Sequence, residues 1–310
     1  MRGSRYCFLA FALWACGQYG QCADPTSSPM VVRYHNSSGV DTHNAYQFEL
    51  IRLALEHTKT DYGDYLIQPY SAAPTAKRQA ILLSEGNLMN IQWASPGTPI
   101  SGAEVIPIPV NILRGLLGLR ICLINREQLP RFAKIQSLDD LRQIKIGQGQ
   151  DWTDTLIYQL NQIPLFESTG LLQLFPILTT RRIDCLPLGA NEIGVKYAEQ
   201  HRQHPDMVIE PNLLLYYDFP TYLYVSKRHP RLAERIAAGL QIMRSSGEYD
   251  QLFWRHFAAQ LRPLNLGQRR VICLKSPYLP EANQCKEPLQ LPDFSPPAEL
   301  HPPAATQAAP

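Results

Sequence analysis

The order of elements between Ser137 and Asp184 constrains the fold more tightly than any other stretch of the chain. Ser137-Leu138-Asp139-Asp140-Leu141 is a helix start. Ser137 can cap free backbone N–H groups, and Asp140 stands three residues on, at capping-box spacing. Ile144-Lys145-Ile146 is a short β-type run, and Gly147-Gln148-Gly149-Gln150 turns the chain into a helical pattern from Asp151 to Leu160. After another helix, Arg181-Arg182-Ile183-Asp184-Cys185-Leu186 reads as a charged turn and a buried strand. A glycine turn between a strand and a helix N-terminus aims backbone donors at one spot, which suits an anionic or polar ligand group.

The same alternation runs through the rest of the chain. Met30 to Tyr34 reads as a strand, and His43 to Thr58 as a helix with Phe48, Ile51, Ala54 and Leu55 on one face. Tyr65 to Tyr70 is a second strand. Ala76 to Glu85 is a helix stopped by Gly86, and Leu88 to Ala94 is a third strand. Ile106 to Ile124, with Gly115 and Gly118, reads as a crossing into a second lobe. Leu213 to Val225, broken by Asp218-Phe219-Pro220, reads as the return. Helices over Pro230 to Met243 and Glu248 to Leu261 follow. This pattern predicts three-layer α/β architecture with a largely parallel sheet. Beyond Arg262 the pattern fades, recurrent prolines rule out regular elements, and a disordered tail is expected from about Pro288.

The N-terminus carries an export pattern. Arg2 and Arg5 precede the apolar stretch Cys7 to Cys16, and Gly20 to Ala23 supplies small residues for cleavage after Ala23. A lipoprotein tether at Cys16 is the alternative. A formal net charge of +2 gives no case for nucleic acid. Cys122 and Cys185 lie in apolar strands and are expected to be free and buried. Cys273 and Cys285 flank a Pro-rich loop, and an oxidising compartment would permit a disulfide between them. No spacing resembles a zinc site, and no cofactor motif is present.

From Met30 to Leu261 the chain resembles the periplasmic solute-binding proteins of type II topology, the polar amino acid family of ABC-transporter substrate-binding proteins in particular. The resemblance is carried by "LLSEGNLMNIQWA", "IQSLDDLRQIKIGQGQDW", "RRIDCLP" and the closing "HPRLAERIAAGLQIMRSSGEYDQLFWRHF". It implies two α/β lobes joined by two crossing strands, with ligand held in the cleft between them. The implied organisation is a signal peptide over 1–23, a first lobe of 24–117 with 218–275, a second lobe of 118–217, and a Pro-rich tail over 276–310. Two departures stand out. The family's "T-x-x-R" stretch here reads Ser95-Pro96-Gly97-Thr98-Pro99-Ile100-Ser101-Gly102, without the carboxylate-binding Arg. The acidic residue that holds a ligand amine is replaced by Gly189, with Glu192 three positions on.

The candidate ligand-binding residues are Trp93, Ser95, Arg114, Gln148, Gly149, Trp152, Glu192 and Tyr216. Trp93 ends a strand, where open α/β sheets bind ligands, and could stack on one or serve as a rim core residue. Ser95 could donate to a ligand or cap its loop. Arg114 could clamp a carboxylate in place of the missing Arg, or form a surface ion pair. Gln148, Gly149 and Trp152 form the glycine loop. Glu192 could take the amine role or simply open a helix, and Tyr216 sits in the return crossing. Arg120, in an apolar strand, must be paired, whether at a site or in a structural bridge. Asp151 and Asp154 read as partners of a helix dipole, Asp184 as a turn residue, and His35 and Asn36 as weaker candidates. No catalytic motif appears. The expected function is capture of a small polar, amino-acid-like solute by domain closure in the periplasm, as a monomer serving an inner-membrane ABC permease. The alternative is a sensor that signals to a membrane partner without transport.

Overall fold

The computed structural model describes residues 28–36, 44–72, 74–150, 152–278 and 285. The export segment and the tail beyond Cys285 lie outside the described residues. The chain begins with β1 (Met30–Val32), α1 (Ala45–His57), α2 (Lys59–Tyr62), β2 (Tyr65–Ile67), α3 (Ala76–Glu85), β3 (Ile91–Ala94) and β4 (Val105–Ile108). It continues with β5 (Leu119–Asn125), α4 (Leu129–Phe132), α5 (Leu138–Leu141), β6 (Ile146–Gly149), α6 (Asp154–Leu160) and β7 (Leu165–Ser168). Then come α7 (Leu171–Thr179), β8 (Leu186–Gly189), α8 (Ile193–Gln200), β9 (Met207–Ile209) and β10 (Leu213–Tyr216). The chain closes with β11 (Tyr222–Ser226), α9 (Pro230–Ser246), α10 (Glu248–Leu261) and β12 (Arg270–Cys273).

These elements build two α/β lobes. In the first, β1 pairs β2 in parallel and β11 lies antiparallel between β3 and β4. The buried Asn90 joins the two halves: its Oδ1 accepts from the Arg33 N–H at 2.7 Å, and its own N–H donates to the Arg33 carbonyl. In the second lobe the strand order is β12-β10-β5-β8, with β9 also on β5, and the parallel pair β6-β7 is bridged to it through Ile146 and Cys185. Each lobe thus combines parallel and antiparallel pairings rather than a largely parallel sheet. The crossing that brings the chain into the second lobe and the one that takes it back run in opposite directions, so β5 and β10 pair antiparallel.

The start of the second lobe folds as its sequence requires. Ser137 Oγ accepts from Asp140 N–H and the Asp140 carboxylate accepts from Ser137 N–H, a complete capping box. Hydrogen bonds from the Gln136 backbone and from Ser137 hold the Asp140 carboxyl below its usual value. Asp184 is structural, as expected. Its carboxylate accepts from Gln128 Nε2, Arg131 Nη1 and the Lys145 N–H at 2.8–2.9 Å, which fixes the approach to β6.

Three segments connect the lobes. The first is not a strand: after β4 the chain turns through Asn111 to Gly115 and a 3-10 helix, Leu116–Gly118. The second runs from Tyr217 to Thr221. They touch backbone to backbone, with the Ile112 N–H on the Thr221 carbonyl (2.8 Å) and the Tyr217 N–H on that of Gly118 (3.2 Å). A Cβ on Gly118 would stand 2.0 Å from the Tyr217 carbonyl oxygen, so this approach requires glycine. The third connection corrects the expected layout. After α10, two 3-10 turns lead to β12, which pairs in parallel with β10, Leu213 opposite Arg270. Residues 270–273 therefore belong to the second-lobe sheet, not the first lobe. A strand this short has no periodicity of its own, and its neighbour lies far back in the chain.

The cysteines give a second correction. Cys122 and Cys185 are bonded to each other, with Cα atoms 5.2 Å apart, and Cys273 is bonded to Cys285. The apolar settings of Cys122 and Cys185 are as expected, since both are buried. Their union follows from the antiparallel pairing of β5 with β8, which sets Cys122 opposite Pro187, two residues beyond Cys185.

Helices α1, α9 and α10 pack the first lobe. Leu50, Ile51, Ala54 and Leu55 of α1 are fully buried with Ile236, Leu240 and Met243 of α9. Arg235 is fully buried in this seam. It donates to the Leu55 and Gly63 carbonyls (3.0 and 2.8 Å) and to Thr58 Oγ1 (3.1 Å), satisfying groups at the end of α1. Gly239 lets α9 meet the α1 backbone, since a Cβ there would stand 2.1 Å from the Ala54 carbonyl oxygen. Gly239→Ala is expected to destabilise by about 1–3 kcal/mol despite the better helix propensity of Ala. Urea unfolding checks this, and an unchanged or raised midpoint would contradict it.

Candidate interlobe binding site

The first-lobe wall is aromatic. Trp93 lies opposite Leu223 in the β3–β11 pair, half-buried, with its ring edge-on to Phe48 at 5.4 Å. Phe48 in turn stacks on Tyr34 at 4.7 Å. Ser95 follows β3 directly, is buried, and its hydroxyl lies 3.3 Å from Thr221 Oγ1 in the return crossing. Its side chain ties the loop to the return crossing.

The second-lobe wall grows from the end of β6. The Trp152 indole lies flat against Gly149, where a Cβ would stand 2.3 Å from the ring. Gln148 is fully buried, and among the described residues neither of its amide atoms has a hydrogen-bond partner. Thr155 Oγ1 and Asn191 Oδ1 are buried and unpartnered in the same way. A buried amide carries both donors and an acceptor, and its desolvation is costly unless something polar meets it.

Arg120, on β5, organises the charge of this wall. It is buried and pairs with Asp154 at 2.5 Å, with Glu192 at 3.2 Å, and donates from Nε to the Tyr217 hydroxyl at 2.7 Å. The Tyr217 hydroxyl in turn donates to Asp154 Oδ2 at 2.6 Å. Burial would push the guanidinium pKa down, but Asp154, Tyr217 and Glu192 overcome that and raise it. Burial also drives the Tyr217 hydroxyl well up, against the pull of Arg120, so it remains a neutral donor. Glu192 stands at the start of α8 and accepts from the Gly189 N–H at 2.9 Å. One cation thus faces two carboxylates, and the constellation keeps one negative charge in excess. Glu192, the more exposed carboxylate, stands at its outer side.

Tyr216 is half-buried at the end of β10, and burial together with the charge of Asp218 raises its hydroxyl pKa. Asp218 is itself raised by burial. The structure does not bring Arg114 to this group. Its backbone sits at φ 54°, which turns the side chain onto α10. There it pairs with Asp250 at 2.7 Å and lies 5.2 Å over the Phe253 ring. It lines a separate concavity of about 580 Å³ between the first crossing and the α9–α10 junction, with Asn111, Arg244 and Tyr249. Asp154 stands in the first turn of α6, as a helix-start acid does, and is also the buried partner of Arg120. The signal for it was Arg120 itself, a cation in an apolar strand that needed an acid nearby. His35 bridges Tyr70 at the strand end, and its Nε2 is buried and unpartnered among the described residues.

The Tyr278 ring lies against Gly97 in the loop after β3, and its hydroxyl donates to the Thr153 carbonyl before α6 at 2.9 Å. The lobes are separated there by the width of one tyrosine.

No family model matches the chain, and no curated protein matches it in sequence. Solved structures match it in fold. The GluR0 ligand-binding core in complex with L-glutamate aligns with a TM-score of 0.51 at 13% identity, over 74% of this chain and 98% of that one. An ancestral arginine-binding protein bound to glutamine aligns with a TM-score of 0.50 at 14% identity, over 74% and 99% of the two chains. Likeness at this identity speaks for the fold alone: the chain has the bilobal type II periplasmic-binding architecture.

Proposed function

We propose that this protein captures a small polar, amino-acid-like solute between its lobes by domain closure and delivers it to an inner-membrane ABC importer. The observation that supports the reading is the composition of two side-chain groups, one on each lobe. An aromatic wall built on Trp93 belongs to the first lobe and a polar wall to the second, where Trp152 covers Gly149, Gln148 has an unused amide and Arg120 is outweighed by Asp154 and Glu192. Such a pair of walls offers an apolar contact for a side chain and hydrogen bonds with a negative bias for an amine. Two disulfides favour an exported protein working in an oxidising compartment, in line with the N-terminal pattern. The solved folds it resembles hold L-glutamate and glutamine, which motivates the solute class. The lack of an Arg in the Ser95–Gly102 stretch sets the solute apart from an ordinary zwitterion clamp. It also favours the second reading, a ligand sensor coupled to a membrane partner.

A thermal-shift screen over amino acids, small carboxylates and polyamines tests the capture reading. A solute at a hundredfold excess over Kd stabilises by about 2.7 kcal/mol. With that solute, Trp152→Ala is expected to weaken binding at least about tenfold by calorimetry, through loss of an aromatic anchor. Arg114→Ala is expected to leave binding unchanged. No stabilising solute in the screen, or full affinity in Trp152→Ala, would sink the proposed site. Unimpaired uptake of the solute in cells lacking the protein would favour sensing over transport.

A further inference from the structure

Tyr278 has no part in the solute-binding reading, yet it is the side chain that touches both lobes. It ends a segment fastened to the second lobe step by step. The Arg270 N–H donates to the Asn212 carbonyl and the Leu274 N–H to that of Tyr216, each at 2.7 Å. The Asn161 side chain clasps Lys275 at both backbone groups, Nδ2 on its carbonyl (2.8 Å) and Oδ1 under its N–H (3.0 Å). Ile272 and Leu274 are buried in the second-lobe core, and Cys273 is bonded to Cys285. The Tyr278 hydroxyl adds a further anchor on Thr153.

From that base the ring reaches the first lobe. A Cβ on Gly97 would stand 2.2 Å from Cε1 and 2.5 Å from Cζ of Tyr278, and Gly97 also sits at φ +82°, so both the backbone and the contact require glycine. Phe219, in the return crossing, lies 5.9 Å from the same ring. One side chain, held by one lobe, therefore bears on the loop of the other and on the hinge. We propose that Tyr278 is an interlobe latch: it fills the gap between the loop after β3 and the loop before α6 and holds the lobes at a single separation. Two-lobed proteins of this kind move by hinge rotation, and a contact present in one arrangement alone biases the equilibrium toward it. A solute that needs the space beside Trp152 then binds with an apparent affinity reduced by the latched fraction. The latch is defined by protein contacts and stands whatever solute the cleft takes.

Interlobe distances measured by double electron–electron resonance test it on the full chain with no solute added. Spin-labelled non-natural residues replace Ile81 on α3 and Leu172 on α7, both exposed and one on each lobe. The parent chain is expected to give one narrow distance. Tyr278→Ala is expected to broaden it toward longer distances, raising the open population at least about fivefold, the factor set by roughly 1 kcal/mol. Tyr278→Phe, which keeps the ring and loses its anchor on Thr153, should shift in the same direction by less. An unchanged distribution in Tyr278→Ala overturns the latch. Should that variant lack a cooperative melt, Tyr278→Phe decides: opening supports the latch, and a distribution equal to the parent's overturns it. The solute screen can fail without touching this result, because the distances are read with the cleft empty.

Discussion

Arg120→Met is expected to lower the unfolding free energy by about 3–5 kcal/mol. The cause lies less in the attraction lost than in the charge left behind. Asp154 is as buried as Arg120, and without the guanidinium its carboxylate keeps only the Tyr217 hydroxyl among its close partners. Glu192 is partly exposed and can relax toward water, so its share of the loss is smaller. A double replacement separates these contributions. Adding Asp154→Leu removes the orphaned charge and should recover much of the loss, giving a strongly non-additive cycle in urea unfolding. An Arg120→Met variant within 1 kcal/mol of the parent would mean that the pair is not buried as described. Arg120→Lys should recover only part, because one ammonium cannot serve Asp154, Glu192 and Tyr217 in the fixed fork geometry.

The second large effect is expected from Cys122→Ala with Cys185→Ala. The bond spans a sequence separation of 63 residues, and the chain-entropy account assigns a loop of that length about 4 kcal/mol. For a domain of this size that corresponds to a fall in Tm of roughly 8–16 °C. Both sulfurs are buried, so the variant also leaves a small void in the second-lobe core. Removing Cys273 and Cys285, separated by 12 residues, should cost less, about 3 kcal/mol. Non-reducing peptide mapping with calorimetry of the two double variants checks both statements. Free thiols at 122 and 185 would refute the first outright.

The sequence carried the fold where signals are local. The capping box at Ser137 and Asp140, α3 over Ala76–Glu85 and α10 over Glu248–Leu261 are found where their residues place them. These features depend on residues three or four apart. The readings that changed depend on partners distant in the chain. Cys122 and Cys185 each look like a core residue, and only the β5–β8 register joins them. Arg114 has the chemistry of a carboxylate clamp, but one left-handed backbone position turns it onto Asp250. Asp154 is a helix-start acid, and its pairing with Arg120 joins α6 to β5, elements that no local sequence pattern brings together. Trp93, Gln148, Gly149, Trp152, Glu192 and Tyr216 stand at or beside strand ends and helix starts, positions that local pattern marks without register and that gather at the sheet margins of an α/β lobe.

The placement of β12 bears on which strand edge the second-lobe sheet exposes. Among the described residues β12 is the outermost strand on its side of the second-lobe sheet, and it covers β10, whose sequence is Leu213-Leu214-Leu215-Tyr216. A shortened chain ending with α10 would leave that leucine-rich strand with a free row of amides and carbonyls, the template on which another chain adds a strand. In the full chain the margin is instead a short strand opened by the half-buried Arg270, whose guanidinium reaches over to the Ile135 carbonyl at 2.5 Å. Charge placed at the margin of an apolar strand discourages edge-to-edge pairing, so these few residues act as gatekeepers for the whole sheet.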